Sequence, residues 1–271
     1  MRFLILLLFS SFLTFAKGLL LATTYPIYYP LKFIAYPERN VDVLINTRTD
    51  PHHYELRPTE VKKMLSADYV FTLGLEPWER SLKGRVVKVG NVRGLISYGR
   101  QQDPHLWLSP KTYIYLVENL CRQLKETDPS RQVVYEKRCK TYLQKLEELD
   151  KLFQNTLSRC RVRYLVSTHT AFAYLARDYQ LINVGLRGVH AEEEPKPSEL
   201  FKIIRLMKEK GVRAIYVEEG YDTTTARYIA EQVGAKVYFL NSSLYPSSPQ
   251  DDYFSIMKRN LQQLKEGLEC Q

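Results

Sequence analysis

The sequence predicts an α/β protein built as two (β/α)4 lobes with parallel sheets joined by one long rigid helix, and three observations carry that reading. Short apolar segments of strand length alternate with amphipathic helical segments through short links, the pattern of parallel sheets with right-handed crossovers. The alternation occurs twice, on either side of a stretch that opens at Asp128-Pro129 and meets no further proline before Pro195 and no glycine before Gly185. Within that stretch Tyr135, Cys139, Tyr142, Leu146, Leu149, Phe153 and Leu157 recur at alternating four- and three-residue steps, one apolar stripe on one helical face. With Asp128 as N-cap and Pro129 at the first helical position, a helix over 129–158 spans about 45 Å at 1.5 Å per residue, long enough to serve as a strut between lobes. The expected organisation is a leader over 1–18, a first lobe over 19–127, the linking helix over 128–159 and a second lobe over 160–271.

The leader follows from Met1-Arg2, an apolar run over 3–15 and small residues at Thr14, Ala16 and Gly18, the pattern of a secretory signal peptide. About thirteen apolar residues are too few to span a bilayer comfortably. No cysteine lies near the expected cleavage point, so the expectation is a soluble, exported, periplasmic protein without a lipid anchor. Then come a strand over 19–24, a helix over 27–35 interrupted near Pro30, and a strand over 41–45. The loop Asp50-Pro51-His52-His53-Tyr54-Glu55-Leu56-Arg57-Pro58 leads into a short helix over 58–66, a strand over 68–73, a helical turn over 76–81 and a strand over 85–89. A loop through Gly90, Gly94 and Gly99 reaches Asp103-Pro104-His105-Leu106-Trp107-Leu108-Ser109-Pro110, and a helix over 111–126 precedes the strut. Beyond the strut are strands over 162–167, 181–185, 214–217 and 236–240. Helices over 171–179, 197–210, 223–233 and 251–267 alternate with them, and an acidic loop runs Glu192-Glu193-Glu194-Pro195.

The charge is +9, from 39 Lys and Arg against 30 Asp and Glu, and loss of Arg2 and Lys17 with the leader leaves +7. Lysine and arginine are scattered among glutamates with no dense basic run, which reads as a solvated surface and not as a nucleic-acid interface. The cysteines Cys121, Cys139, Cys160 and Cys270 form no close metal-binding pair. An exported chain permits disulfides, and the three possible pairings stay open.

Of the five histidines, His52, His105 and His169 each stand just beyond the carboxyl end of a predicted parallel strand, where open α/β sheets place their ligands. If the lobes face each other, the three imidazoles converge on one cleft. Two of them share an Asp-Pro-His setting, in which proline stiffens the loop and the aspartate can hydrogen-bond a ring nitrogen. Three neutral imidazoles suit a borderline divalent cation such as Zn²⁺. His53, pointing away from His52 in an extended loop, and His190, in the acidic loop, are weaker candidates.

At these residues the chain resembles the metal-specific solute-binding proteins of bacterial ABC importers, the zinc and manganese binders of cluster A-I. The resemblance rests on Asp50 to Glu55 with Pro58, Gly74-Leu75-Glu76-Pro77-Trp78, Asp103 to Pro110, Thr168-His169-Thr170-Ala171-Phe172 and Asp252-Tyr253-Phe254-Ser255-Ile256-Met257-Lys258-Arg259-Asn260-Leu261, and it covers nearly the whole mature chain. It implies ligands at His52, His105 and His169, a rigid helix between two lobes, and delivery of the metal to a membrane permease with its ATPase by a monomer that is not an enzyme. The chain departs from the family at the fourth ligand: where an aspartate is usual after the last strand, it reads Phe239-Leu240-Asn241-Ser242-Ser243. The fourth position stays open among Asn241, a water, Glu55 and Glu218. The long histidine-rich loop of many zinc binders is absent, whereas a third histidine stands where several manganese binders carry a carboxylate. Ligand softness favours zinc over manganese. A secreted zinc-dependent hydrolase and a surface adhesin are the alternative classes; against the former, no His-Glu-x-x-His motif is present.

Overall fold

The computed structural model describes residues 18–46, 48, 52, 54–99, 101–187 and 197–271. The first lobe comprises β1 (Leu19–Ala22), α1 (Tyr25–Ala35), β2 (Asn40–Val43), α2 (Pro58–Leu65), β3 (Tyr69–Thr72), a 3₁₀ turn (Pro77–Ser81) and β4 (Val86–Lys88). A small antiparallel hairpin, β5 (Ser97–Tyr98) and β6 (Gln101–Gln102), a 3₁₀ turn (Leu106–Leu108) and α3 (Pro110–Thr127) follow. A 3₁₀ turn (Pro129–Arg131) then leads into α4 (Gln132–Leu157). The second lobe runs β7 (Tyr164–His169), α5 (Ala173–Asp178), β8 (Ile182–Arg187), α6 (Pro197–Lys210), β9 (Ala214–Glu218), α7 (Thr224–Val233), β10 (Lys236–Leu240) and α8 (Tyr253–Gly267).

Each lobe holds a four-stranded, all-parallel sheet, ordered β2-β1-β3-β4 in the first and β10-β9-β7-β8 in the second. Central strands covered by helices on both faces carry continuous apolar runs instead of alternation: Leu20, Leu21 and Ala22 in β1, and every residue of β9, are buried. The strut is α4, and its buried residues are the seven of the predicted stripe. One continuous apolar core includes Phe71 of the first sheet, Leu116 and Leu146 of α3 and α4, and Val166 and Val217 of the second sheet, so the two lobes are packed as one body. Polar bonds cross between them as well: the Tyr29 hydroxyl donates to the Leu244 carbonyl (3.0 Å), Trp107 Nε1 to the Ser242 carbonyl (2.7 Å) and the Tyr174 hydroxyl to the Asp103 carbonyl (2.7 Å).

Three expectations are corrected. The linking helix does not open as an α-helix on an Asp128 side-chain cap: a 3₁₀ turn, which Asp128 precedes without a side-chain cap bond, runs into α4, and the 26 residues of α4 extend about 39 Å. Asp128 instead closes α3 and accepts from Ser130 Oγ (2.8 Å), the Tyr135 hydroxyl (2.9 Å), Arg131 and Arg39. Burial pushes its carboxyl up, but the hydrogen bonds from Ser130 and Tyr135 and the Arg131 charge outweigh this and hold it below the ordinary aspartate value. Helix α1 begins at Tyr25 and runs unbroken through Pro30. Pro30 has no N–H for the carbonyl of Pro26 four residues earlier, and the buried Tyr113 hydroxyl of α3 donates to that carbonyl instead. The hairpin β5–β6 is too short and too polar to register as periodicity.

The cysteines pair Cys121–Cys139, tying α3 to α4, and Cys160–Cys270, tying the start of the second lobe to the end of the chain. No helix among the described residues is long and apolar enough to cross a membrane. The expected leader, His53, His190 and the acidic loop lie outside the described residues.

Replacing Tyr113 by Phe leaves the Pro26 carbonyl without its donor in the core, and a loss of about 1–3 kcal/mol of unfolding free energy is expected in urea titration. No change would mean that the proline-freed carbonyl is satisfied elsewhere.

Candidate metal centre

The site is assembled from the carboxyl ends of strands of both sheets. His52 lies in the loop after β2, His105 just after the hairpin β5–β6 that follows β4, and His169 is the last residue of β7. All three are buried, and one nitrogen from each lies within 4.8 Å of the others. His52 Nε2 and His105 Nε2 are 3.0 Å apart, and the His169 ring centre stands 5.0 Å from that of His105 and 5.8 Å from that of His52.

Every ring is held from behind by a carboxylate. His52 Nδ1 bonds Glu76 Oε1, His105 Nδ1 bonds Asp103 Oδ1 and His169 Nδ1 bonds Glu218 Oε1, each at 2.7 Å. A carboxylate can only accept, so each Nδ1 carries the hydrogen, and a ring in its neutral form keeps its lone pair at Nε2, the atom through which His52 and His105 face each other. Lone pairs facing each other at 3.0 Å repel unless a proton or a cation lies between them. Four donors about 2.05 Å from a tetrahedral Zn²⁺ stand about 3.3 Å apart. The His52–His105 separation of 3.0 Å is close to that value, and all three nitrogens lie within 4.8 Å of one another.

Local sequence explains how each carboxylate arrives. Gly74 leaves β3 with φ +77°, where its lack of a side chain avoids the Lys88 side chain, and Pro77 starts the following 3₁₀ turn. Between them Glu76 is fixed by its backbone N–H donating to Glu79 Oε2 (2.9 Å). Glu79 is itself buried, and that burial raises its carboxyl above the ordinary value despite the hydrogen bond from Thr72. In Asp103-Pro104-His105 the same Oδ1 accepts from the His105 backbone N–H (2.9 Å) and from its ring, a closed turn that locks the imidazole. Glu218 ends β9, and its second oxygen accepts from Ser242 Oγ.

A scan against family models matches residues 20–267 to the ZnuA family, described as zinc-uptake complex component A, periplasmic. The chain belongs to this family. It is 33% identical over 274 residues to the high-affinity zinc uptake system protein ZnuA of Bacillus subtilis (strain 168), covering 91% of this chain and 86% of that one. It is 30% identical over 275 residues to the zinc-binding lipoprotein AdcA of Streptococcus pneumoniae, where it spans 55% of that protein's length. Among solved structures, the laminin binding protein of Streptococcus agalactiae, described as bifunctional with adhesin and metal transporting activity, superposes with a TM-score of 0.87 at 27% identity, over 93% of this chain and 100% of that one.

The candidates for the fourth position differ in their surroundings. Glu218 has both oxygens engaged, by His169 and Ser242, and orients a ring instead of standing open. Glu55 is exposed, and no carboxylate joins the three nitrogens among the described residues. Asn241, directly after β10, is buried and its Oδ1 has no hydrogen-bond partner. Sequence reading anticipated Asp103 as a ring partner but gave no such role to Glu76. The available signal was its position, at the exit of a parallel strand like the histidines. Asp50, the aspartate of the other Asp-Pro-His, lies outside the described residues; the partner of His52 is Glu76.

Burial lowers the His105 ring below the ordinary imidazole value, against the pull of Asp103. Burial also works to raise Glu218, but the hydrogen bond and charge of His169 and the bond from Ser242 hold it below the ordinary glutamate value. The His105 shift gives folding a sign with pH. As pH falls, the unfolded chain takes up the His105 proton first, near the ordinary value of about 6.5, so stability present above that value is lost as pH falls from it down through the lower value of the folded ring. Urea unfolding of the metal-free protein is expected to show a lower midpoint at pH 5.5 than at pH 7.5; an equal midpoint would contradict a buried, neutral His105.

Proposed function

We propose that this chain is an extracytoplasmic capture protein. It holds one divalent metal ion, zinc in preference to manganese, between its lobes and delivers it to an ABC permease driven by its ATPase. His52, His105 and His169 supply Nε2 donors, and Asn241 Oδ1 supplies the fourth. The observation that carries the reading is the set of three buried imidazoles, each with Nδ1 committed to a carboxylate and Nε2 turned toward the others. Lone pairs brought together in this way repel one another and are suited to a shared cation. Imidazole nitrogen favours zinc over the harder Mn²⁺, and the similar ZnuA and AdcA proteins are a zinc uptake protein and a zinc-binding lipoprotein.

The metal is cargo, so the site must both hold it and let it go. Nanomolar capture corresponds to about −12 kcal/mol, within what a few imidazole bonds to Zn²⁺ supply. Glu76, Asp103 and Glu218 offset the charge of the bound ion without touching it. Since both lobes share one apolar core, release on docking proceeds through rearrangement of the ligand loops with small lobe movement. The protein acts as a monomer, in the periplasm.

Competition with a chromophoric chelator at pH 7.5 is expected to give one Zn²⁺ per chain. Glu218→Gln is expected to weaken binding by about 10–100-fold, and His169→Ala by more. Full affinity in His169→Ala would overturn the reading, as would chelator-sensitive turnover in a hydrolase panel. For the wild type, affinity is expected to be flat above about pH 6.5 and to fall below it, because a protonated ring cannot bind the ion. Unchanged affinity between pH 7.5 and 5 would exclude histidine ligation.

A further inference from the structure

The loop that follows β10 is clamped more tightly than its chain path requires. Asn260, buried in α8, grips Asn241 at both backbone groups: the Asn241 N–H donates to Asn260 Oδ1 (2.8 Å) and Asn260 Nδ2 donates to the Asn241 carbonyl (3.0 Å). The Asn241 side chain is pinned separately, its Nδ2 donating to the Tyr245 carbonyl at 2.8 Å. A carbonyl can only accept, so this bond fixes which end of the amide faces Tyr245 and leaves Oδ1 as the atom without a partner. The Tyr245 carbonyl is in turn set by Leu244, a fully buried residue in the left-handed region (φ 57°) whose own carbonyl accepts from the Tyr29 hydroxyl at 3.0 Å. The next residue after Asn241, Ser242, donates to Glu218, which holds His169, so the clamp and the imidazoles belong to one bonded network.

We propose that Asn260 is a positioning residue for metal capture which, together with the Tyr245 carbonyl, makes position 241 a neutral oxygen donor and thereby sets the preference for zinc over manganese. The proposal rests on Asn241 being the fourth donor. A carboxylate at 241 would face the Tyr245 carbonyl oxygen across 2.8 Å and be repelled, so the surroundings of this residue select an amide. With three neutral nitrogens and one neutral oxygen, the donor set has no anionic oxygen, the ligand type on which hard Mn²⁺ depends most, whereas Zn²⁺ retains its imidazoles.

The test compares wild type, Asn260→Asp, Tyr29→Phe and Asn241→Ala as full mature chains, with circular dichroism to establish folding. Zn²⁺ and Mn²⁺ affinities come from chelator competition, and Co²⁺ serves as a spectroscopic probe of donor geometry. Asn260→Asp keeps the acceptor to the Asn241 N–H but loses the donor to its carbonyl. It is expected to weaken Zn²⁺ at least tenfold, to shift the Co²⁺ visible bands toward those of Asn241→Ala, and to narrow the Zn²⁺/Mn²⁺ ratio. Tyr29→Phe loosens only the Leu244 turn and is expected to weaken Zn²⁺ about threefold with the same direction of spectral shift; it carries the test should Asn260→Asp fail to fold. If Asn241→Ala alone alters affinity and spectrum while both other variants match wild type, the positioning role is wrong and the fourth donor stands. If Asn241→Ala also matches wild type, position 241 is not a donor and the proposal fails with it.

Discussion

Three imidazoles are held in a buried space with their lone pairs pointed at one another, and much else in the molecule exists to keep them there. Left alone, such rings would rotate or take up protons. A carboxylate behind each Nδ1 prevents rotation, and burial disfavours the protonated form of His105. The residues carrying the carboxylates are themselves secured, Glu76 through its turn with Glu79, Asp103 by its own Asp-Pro-His turn and by the Tyr174 hydroxyl on its backbone carbonyl, and Glu218 by Ser242. Strain at the centre is thus borne by a surrounding layer of hydrogen bonds and not by the rings alone.

That layer can be precise only if the two sheets keep a fixed relation, because His52 and His105 come from one lobe and His169 from the other. The continuous core through α3 and α4 supplies the fixed relation, and the disulfide Cys121–Cys139 joins those two helices. Tyr113 shows how closely the parts depend on each other: it caps the carbonyl that Pro30 frees in α1 and stacks at 4.2 Å on Tyr253 of α8, so one side chain links both lobes. Selectivity then falls to the loops at the strand ends, where a small displacement changes a donor distance without disturbing the core.

Much of this was legible in the sequence, for identifiable reasons. The seven-residue stripe of α4 is a pure periodicity signal and was read residue for residue. The three histidines stood out because parallel sheets place ligands at strand carboxyl ends, and the Asp-Pro-His turn foretold the contact of Asp103 with His105. Other features depend on tertiary contacts that no local pattern encodes. Glu76 meets His52 across 24 residues, and Asn241 is clamped from α8, 19 residues away. The continuity of α1 through Pro30 depends on a tyrosine 87 residues beyond Pro26. The choice among three disulfide pairings likewise became visible only once α3 lay against α4.

X-ray absorption at the zinc edge of the loaded protein addresses the central claim most directly. The account predicts a four-atom first shell of nitrogen and oxygen at about 2.0–2.1 Å, with outer-shell scattering from three imidazole rings and no sulfur near 2.3 Å. One or no imidazole ring, or a sulfur shell, would contradict it.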